Sequence, residues 1–89
     1  MQVQFLYGSQ IQTKEQLHRV LAESLPFPDW YGQNLDALWD CLTSLSAPVQ
    51  LIVAEKEALC RNLPGYGEKF IRLLEDSARE NPMIQVKFR

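Results

Sequence analysis

Three short strand-like runs stand far apart in this 89-residue chain, and none lies within hairpin distance of the next. The first, from Met1 to Tyr7, alternates: Val3, Phe5 and Tyr7 fall on one side, Gln2, Gln4 and Leu6 on the other, and Gly8-Ser9 ends it. The second, Val49 to Ala54, is rich in β-branched residues and apolar on both sides, which suits a buried parallel position. The third, Met83 to Phe88, closes the chain. Helical periodicity fills both intervals, so the strands are joined by crossovers rather than turns. The expected fold is α/β: a small three-stranded parallel sheet with helices packed mainly on one side, in the order β-α-α-β-α-α-β, as one domain over residues 1–89. A domain this small buries only about 60% of its unfolded surface, so its core must be economical.

The helices have local signatures. Thr13 with Gln16 three residues later predicts a capping box, and Leu17, Val20, Leu21, Ser24 and Leu25 follow at helical spacing until Pro26, giving a helix over 14–25. His18, the single histidine, reads as a surface or boundary residue, because no nucleophile partner accompanies it. Pro26-Phe27-Pro28 is a stiff extended connector. Residues 55–63 suit a short helix with Leu59 and Cys60 inward. The Gly65-Tyr66-Gly67 that follows reads as a flexible turn, since it lacks both the Lys-Ser/Thr ending and the GxGxxG spacing of a phosphate loop. Residues 68–80 are amphipathic, with Phe70, Ile71, Leu74 and Ala78 inward and the acids Asp76 and Glu80 at i, i+4.

The stretch from Trp30 to Thr43, WYGQNLDALWDCLT, is the least ordinary. It reads as an aromatic turn and then a short helix that Asn34 caps. Leu35, Leu38, Cys41, Leu42 and Leu45 share an apolar side of that helix. Asp36, Trp39, Asp40 and Thr43 share another, at i, i+3, i+4 and i+7. The two aspartates repel each other by a few tenths of a kcal/mol, and Asp40 stands toward the negative end of the helix dipole. From Leu25 to Ala54 the chain has three aspartates and no Lys or Arg to relieve them. Such a face suits a cationic partner. Plain structural duties would also account for it: Asp36 at the helix start, Trp39 at the edge of the core, Asp40 as a solvated charge.

A formal net charge of −2 argues against nucleic acid as a direct ligand. No apolar run approaches a membrane span and no leader pattern is present, so the expectation is a soluble, cytoplasmic protein. Its two cysteines, Cys41 and Cys60, then read as reduced thiols, and no CxxC or His/Cys cluster suggests zinc. Neither a metal nor an organic cofactor is expected. An enzyme using Asp36 and Asp40 as acid and base lacks a third ligand, a base or a cofactor loop, so the chain reads as a binding protein.

The run from Tyr31 to Thr43, YGQNLDALWDCLT, resembles the signature of the barstar family, intracellular inhibitors of barnase-type ribonucleases. Chain length and element order resemble it too. The resemblance implies an inhibitor that plugs a ribonuclease active site, one to one, with the second helix and the loop before it, and that is monomeric when free. Asp40 is then the central anchor, Asp36 pairs with a second basic group, and Trp30, Trp39, Thr43, Asp76 and Glu80 match further interface positions. Four departures bear on the rim. Leu45 stands where the best-known inhibitor has a tryptophan, Trp30 replaces a tyrosine, Asp76 is shorter than the family glutamate, and the loop before Pro48 is one residue shorter. The same residues also suit an immunity or binding module of this fold directed at a different toxin nuclease or basic protein.

Overall fold

The structure, a computed structural model, describes all 89 residues. Its elements are β1 (Gln2–Tyr7), a 3₁₀ turn (Gly8–Gln10), α1 (Lys14–Ser24), α2 (Leu35–Thr43), β2 (Val49–Ala54), α3 (Lys56–Asn62), α4 (Tyr66–Glu80) and β3 (Ile84–Phe88). The strands form one sheet in the order β1-β2-β3, with both pairings parallel, as the absence of hairpins predicts. Leu6 pairs with Val53, and Val49 with Ile84, so each row of the sheet contributes to a single covered face. Leu6, Val49, Leu51, Val53 and Ile84 are buried there. On the other face Val3, Phe5 and Tyr7 stay exposed, with the rings of Phe5 and Tyr7 stacked 6.1 Å apart. The central strand is therefore buried on one side, and Gln50, Ile52 and Ala54 on the other are half-buried; helices cover only one face.

Local chemistry sets the helix ends. The Thr13 hydroxyl accepts from the Gln16 N–H at 3.0 Å, but the Gln16 side chain accepts from the Gln12 N–H at 2.7 Å, one residue before the cap. The box is closed one step upstream of the expected place. Helix α1 ends at Ser24, and Leu25 is extended, as the proline after it requires. Helix α4 begins two residues earlier than its amphipathic pattern predicts. Gly65, at φ +79°, turns the chain into the helix, and its N–H donates to the Glu68 carboxylate at 3.0 Å, so Tyr66 and Gly67 are helical rather than loop. A side chain at Gly67 would meet the Cys60 backbone at 2.9 Å, so the close approach of α4 to α3 at this point needs a glycine.

The core lies between the covered face and the helices. Leu17, Leu21, Leu38, Leu42, Leu59, Phe70 and Leu74 are fully buried in it, contributed by all four helices. On α4 the small Ser77 is buried where the pattern put Ala78, and its hydroxyl donates back to the Leu74 carbonyl at 2.9 Å. The expectation for His18 is overturned: it is 1% exposed, inside the core. Two tyrosine hydroxyls from distant elements satisfy its ring, and no local pattern announces them.

Candidate functional site

The site is built at the entry to α2. After the Pro26-Phe27-Pro28 connector the Tyr31 N–H donates to the Pro28 carbonyl at 3.1 Å, and the Phe27 and Tyr31 rings pack with centroids 4.9 Å apart. Tyr31 is buried by this, while its neighbour Trp30 is 82% exposed. Gln33 takes the left-handed region at φ 55°, a strain on the order of 1 kcal/mol for a non-glycine residue. That bend presents Asn34, whose side chain accepts from the Ala37 N–H at 2.8 Å and caps α2 as the sequence predicts.

On α2 the two faces separate as their spacing requires. Leu38 and Leu42 are fully buried, whereas Asp36 and Asp40 are exposed one turn apart. Neither is in an ion pair; the one ion pair of the molecule joins Arg79 to Asp76 on α4. Trp39 and Thr43 are half-buried, and the Thr43 hydroxyl donates to the Trp39 carbonyl at 2.7 Å. Leu35, Cys41 and Leu45 are half-buried and pack against the core, and Cys41 and Leu45 also line a cavity of about 430 Å³ together with Trp30, Tyr31 and Asp40. Burial pushes the Cys41 thiol above its ordinary pKa, and the Asp40 charge adds to this.

Of the second acidic pair, on α4, Asp76 comes beside α2. Asp36, Trp39 and Asp76 line one groove of about 310 Å³ between α2 and α4. Lys69 and Arg72 line it as well, so the absence of basic residues near Asp36 in sequence does not hold in space. The two helices run the same way, since the Asn81 amide at the end of α4 donates to the Leu42 and Leu45 carbonyls at the end of α2, at 2.9 and 3.0 Å. Glu80 is exposed one turn beyond Asp76. The structure thus gathers Trp30 and Asp40 around the cavity and Asp36, Trp39 and Asp76 around the groove; Glu80 lines neither.

Sequence reasoning missed four residues that shape this surface: Lys69, Arg72, Asn81 and His18. The His18 Nδ1 meets the Tyr31 hydroxyl at 2.5 Å and its Nε2 meets the Tyr66 hydroxyl at 2.6 Å. Burial lowers its pKa below the ordinary 6.5, with Glu15 opposing. Burial pushes the Tyr31 phenol well up, with Cys41 and Tyr66 adding, and does the same for Tyr66, with Glu15 adding. No three His, Cys, Asp or Glu side chains gather as a metal cluster, and no helix is long and apolar enough to cross a membrane.

Comparison with known proteins identifies a family and a relative. A family model described as "Barstar (barnase inhibitor)" matches residues 1–89. A Bacillus subtilis (strain 168) protein named "Putative ribonuclease inhibitor YrdF" is 36% identical over 74 residues, which is 82% of this chain and 81% of that protein.

Proposed function

We propose that this chain, which belongs to the barstar family, inhibits a barnase-type ribonuclease one to one by seating α2 and the aromatic turn in the enzyme's cationic active site. A role as a ribonuclease inhibitor rather than an enzyme rests on the family and on the named relative. The observation that carries the finer reading is the pair Asp36 and Asp40, exposed and outside any ion pair on a short capped helix beside an exposed Trp30.

A ribonuclease needs a cluster of cations for the phosphate backbone and its transition state. Carboxylates on a folded helix satisfy the same donors and offer no bond to cleave. Because α2 is already capped and packed, these side chains lose less entropy on binding than an acidic tail would, and their mutual repulsion is relieved by the partner's cations. Asp40 is the anchor, Asp36 its neighbour, and Trp30, Trp39, Thr43, Asp76 and Glu80 surround them. Such an inhibitor works in the cytoplasm, where Cys41 and Cys60 remain the free thiols they are here.

A second reading, an immunity module for a toxin nuclease of another type, is favoured by one observation. Lys69 and Arg72 stand in the groove with Asp36 and Asp76, so the surface is not uniformly acidic. Inhibition assays on a barnase-type ribonuclease, with Asp40→Ala in parallel, decide between them. Inhibition by the wild type that the variant loses supports active-site plugging; a folded wild type with no effect on that enzyme favours the other target.

A further inference from the structure

His18 is fully buried, yet its two ring nitrogens reach two other parts of the molecule. Nδ1 faces the Tyr31 hydroxyl in the aromatic turn, and Nε2 faces the Tyr66 hydroxyl in the first turn of α4. The three rings pack edge to face or tilted, with His18 centroids 5.8 Å from Tyr31 and 6.0 Å from Tyr66. No buried side-chain nitrogen or oxygen in the molecule lacks a partner.

A neutral imidazole has one N–H donor and one acceptor nitrogen, whereas each phenol can do either. Burial selects the direction. Tyr31 is buried, and the only side-chain partner of its hydroxyl is His18; if it merely accepted, its own proton would be left without a side-chain acceptor. Tyr66 is half-buried and can send its proton to solvent. The consistent chain is therefore Tyr31 O–H to Nδ1, Nε2–H to Tyr66 oxygen, and Tyr66 O–H outward.

We propose that His18 is a positioning residue for the partner-binding surface: as the Nε2–H tautomer it ties the aromatic turn to α1 and to the start of α4, and it holds that turn only while the ring is neutral. The binding half of this statement rests on the inhibitor reading above; the clamp itself does not. Protonation puts a second N–H on Nδ1, which must then donate to Tyr31, and the Tyr31 proton loses its one side-chain acceptor. Tyr31 is released, and with it its neighbour Trp30. The charged and titratable groups around the ring are Glu15 on the same helix, whose charge favours protonation, Lys14, whose ammonium lies 4.7 Å above the Tyr66 ring, and the two phenols, with Cys41 of α2 acting on Tyr31. Burial outweighs Glu15, so the ring stays neutral at pH 7.

Two measurements test this. In the free protein, imidazole ¹⁵N shifts across about pH 5–8 report the tautomer and its titration, while Trp30 indole signals report the turn. The expected result is the Nε2–H tautomer, with Trp30 signals that move in step with His18. An Nδ1–H tautomer, or Trp30 signals indifferent to the His18 titration, would overturn the proposal. In the complex with a barnase-type ribonuclease, Tyr31→Phe and His18→Leu should dissociate about tenfold or more faster at pH 7 and lose the wild-type acid sensitivity, while His18→Gln, which can accept and donate, restores slow release. Tyr31→Phe deletes a single oxygen, so it reads the clamp even where His18→Leu fails to fold; wild-type dissociation by it would also overturn the proposal. A wild type that ignores the ribonuclease sinks the inhibitor reading alone, and the free-protein measurement still decides the clamp.

Discussion

The side-chain amide of Asn81 donates to the carbonyl of Leu42 at 2.9 Å and thereby ties the end of α4 to the end of α2, the helix that carries Asp36 and Asp40. It also donates to the Leu45 carbonyl and accepts from the Met83 N–H, both at 3.0 Å. The first adds to the long 3.4 Å bond that the Leu42 carbonyl accepts from the Leu45 N–H, and the second holds the chain just beyond α2. Asn81 is buried, so Asn81→Ala should lower stability by about 1–3 kcal/mol, read as a shift of the urea midpoint with unchanged slope. Asn81→Asp should be no better, because it loses the donors and sets a negative charge at the negative end of the α2 dipole. Wild-type stability in both variants would mean that α2 needs no such cap.

Asp40→Ala should weaken binding to the ribonuclease by more than about 2 kcal/mol, a threshold for anchor residues drawn from measured interfaces, the barnase–barstar pair of this family among them. Its carboxylate is exposed at the rim of the cavity beside Trp30 and outside any ion pair, so nothing inside the protein replaces it as a partner for the enzyme's cations. Calorimetry or inhibition kinetics measures the loss, and circular dichroism checks that the fold is kept. Near-wild-type affinity would move the anchor elsewhere.

What was legible in the sequence was what local chemistry decides. The bounds of β2 follow from a β-branched run set off by Pro48, and the start of α2 from an Asx cap whose donor, the Ala37 N–H, lies three residues on. The wheel of α2 correctly separates the apolar side from Asp36 and Asp40, but it does not show that Cys41 and Leu45, packed against the core, also line a cavity. Contacts across the fold left no trace in any window. Tyr66 is 48 residues from His18, Asn81 is 39 from Leu42, and Lys69 and Arg72 reach Asp36 only once α4 lies on α2. The interface assignments of Asp76 and Glu80 came from family resemblance, and the groove supplies a geometric reason for the first only.

Lys69 and Arg72 should slow association with a basic partner. They share a groove with Asp36 and Asp76, and Arg79 pairs with Asp76, so the local negative field is partly cancelled. Lys69→Gln and Arg72→Gln should each raise the association rate about twofold or more at low salt, and the gain should vanish near 1 M salt, where the Debye length falls to about 3 Å. Stopped-flow association across a salt series measures this. A slower rate in the variants would show that these cations meet an acidic group on the partner.

Cys41 should be a sluggish thiol, since burial first and then the Asp40 charge hold its pKa up and its thiolate fraction down. Asp40→Asn removes the second cause without removing the first. Alkylation of Cys41 at pH 8, followed by mass spectrometry, should therefore be faster in the variant yet still slower than in a denatured sample. Cys60, also pushed up by burial but with no Asp40 nearby, serves as the internal control and should be unchanged. Equal Cys41 rates in wild type and variant would remove Asp40 from its surroundings.

Stability should fall in mild acid through His18. The ring's folded pKa lies below 6.5 because burial disfavours the imidazolium, so as pH falls the unfolded chain takes up the proton first. Stability rises with pH wherever the unfolded state binds more protons. The contribution is therefore complete above about pH 6.5 and is lost as pH falls through that value toward the folded pKa. Carboxylates also destabilise in acid, so the informative quantity is the difference between wild type and His18→Gln in urea unfolding at each pH. That difference should shrink as pH falls through 6.5, because glutamine has no proton to gain there. A difference that is flat across the same range would show that the imidazole is equally protonated in both states, and one that grows in acid would show that the folded protein prefers the charged ring.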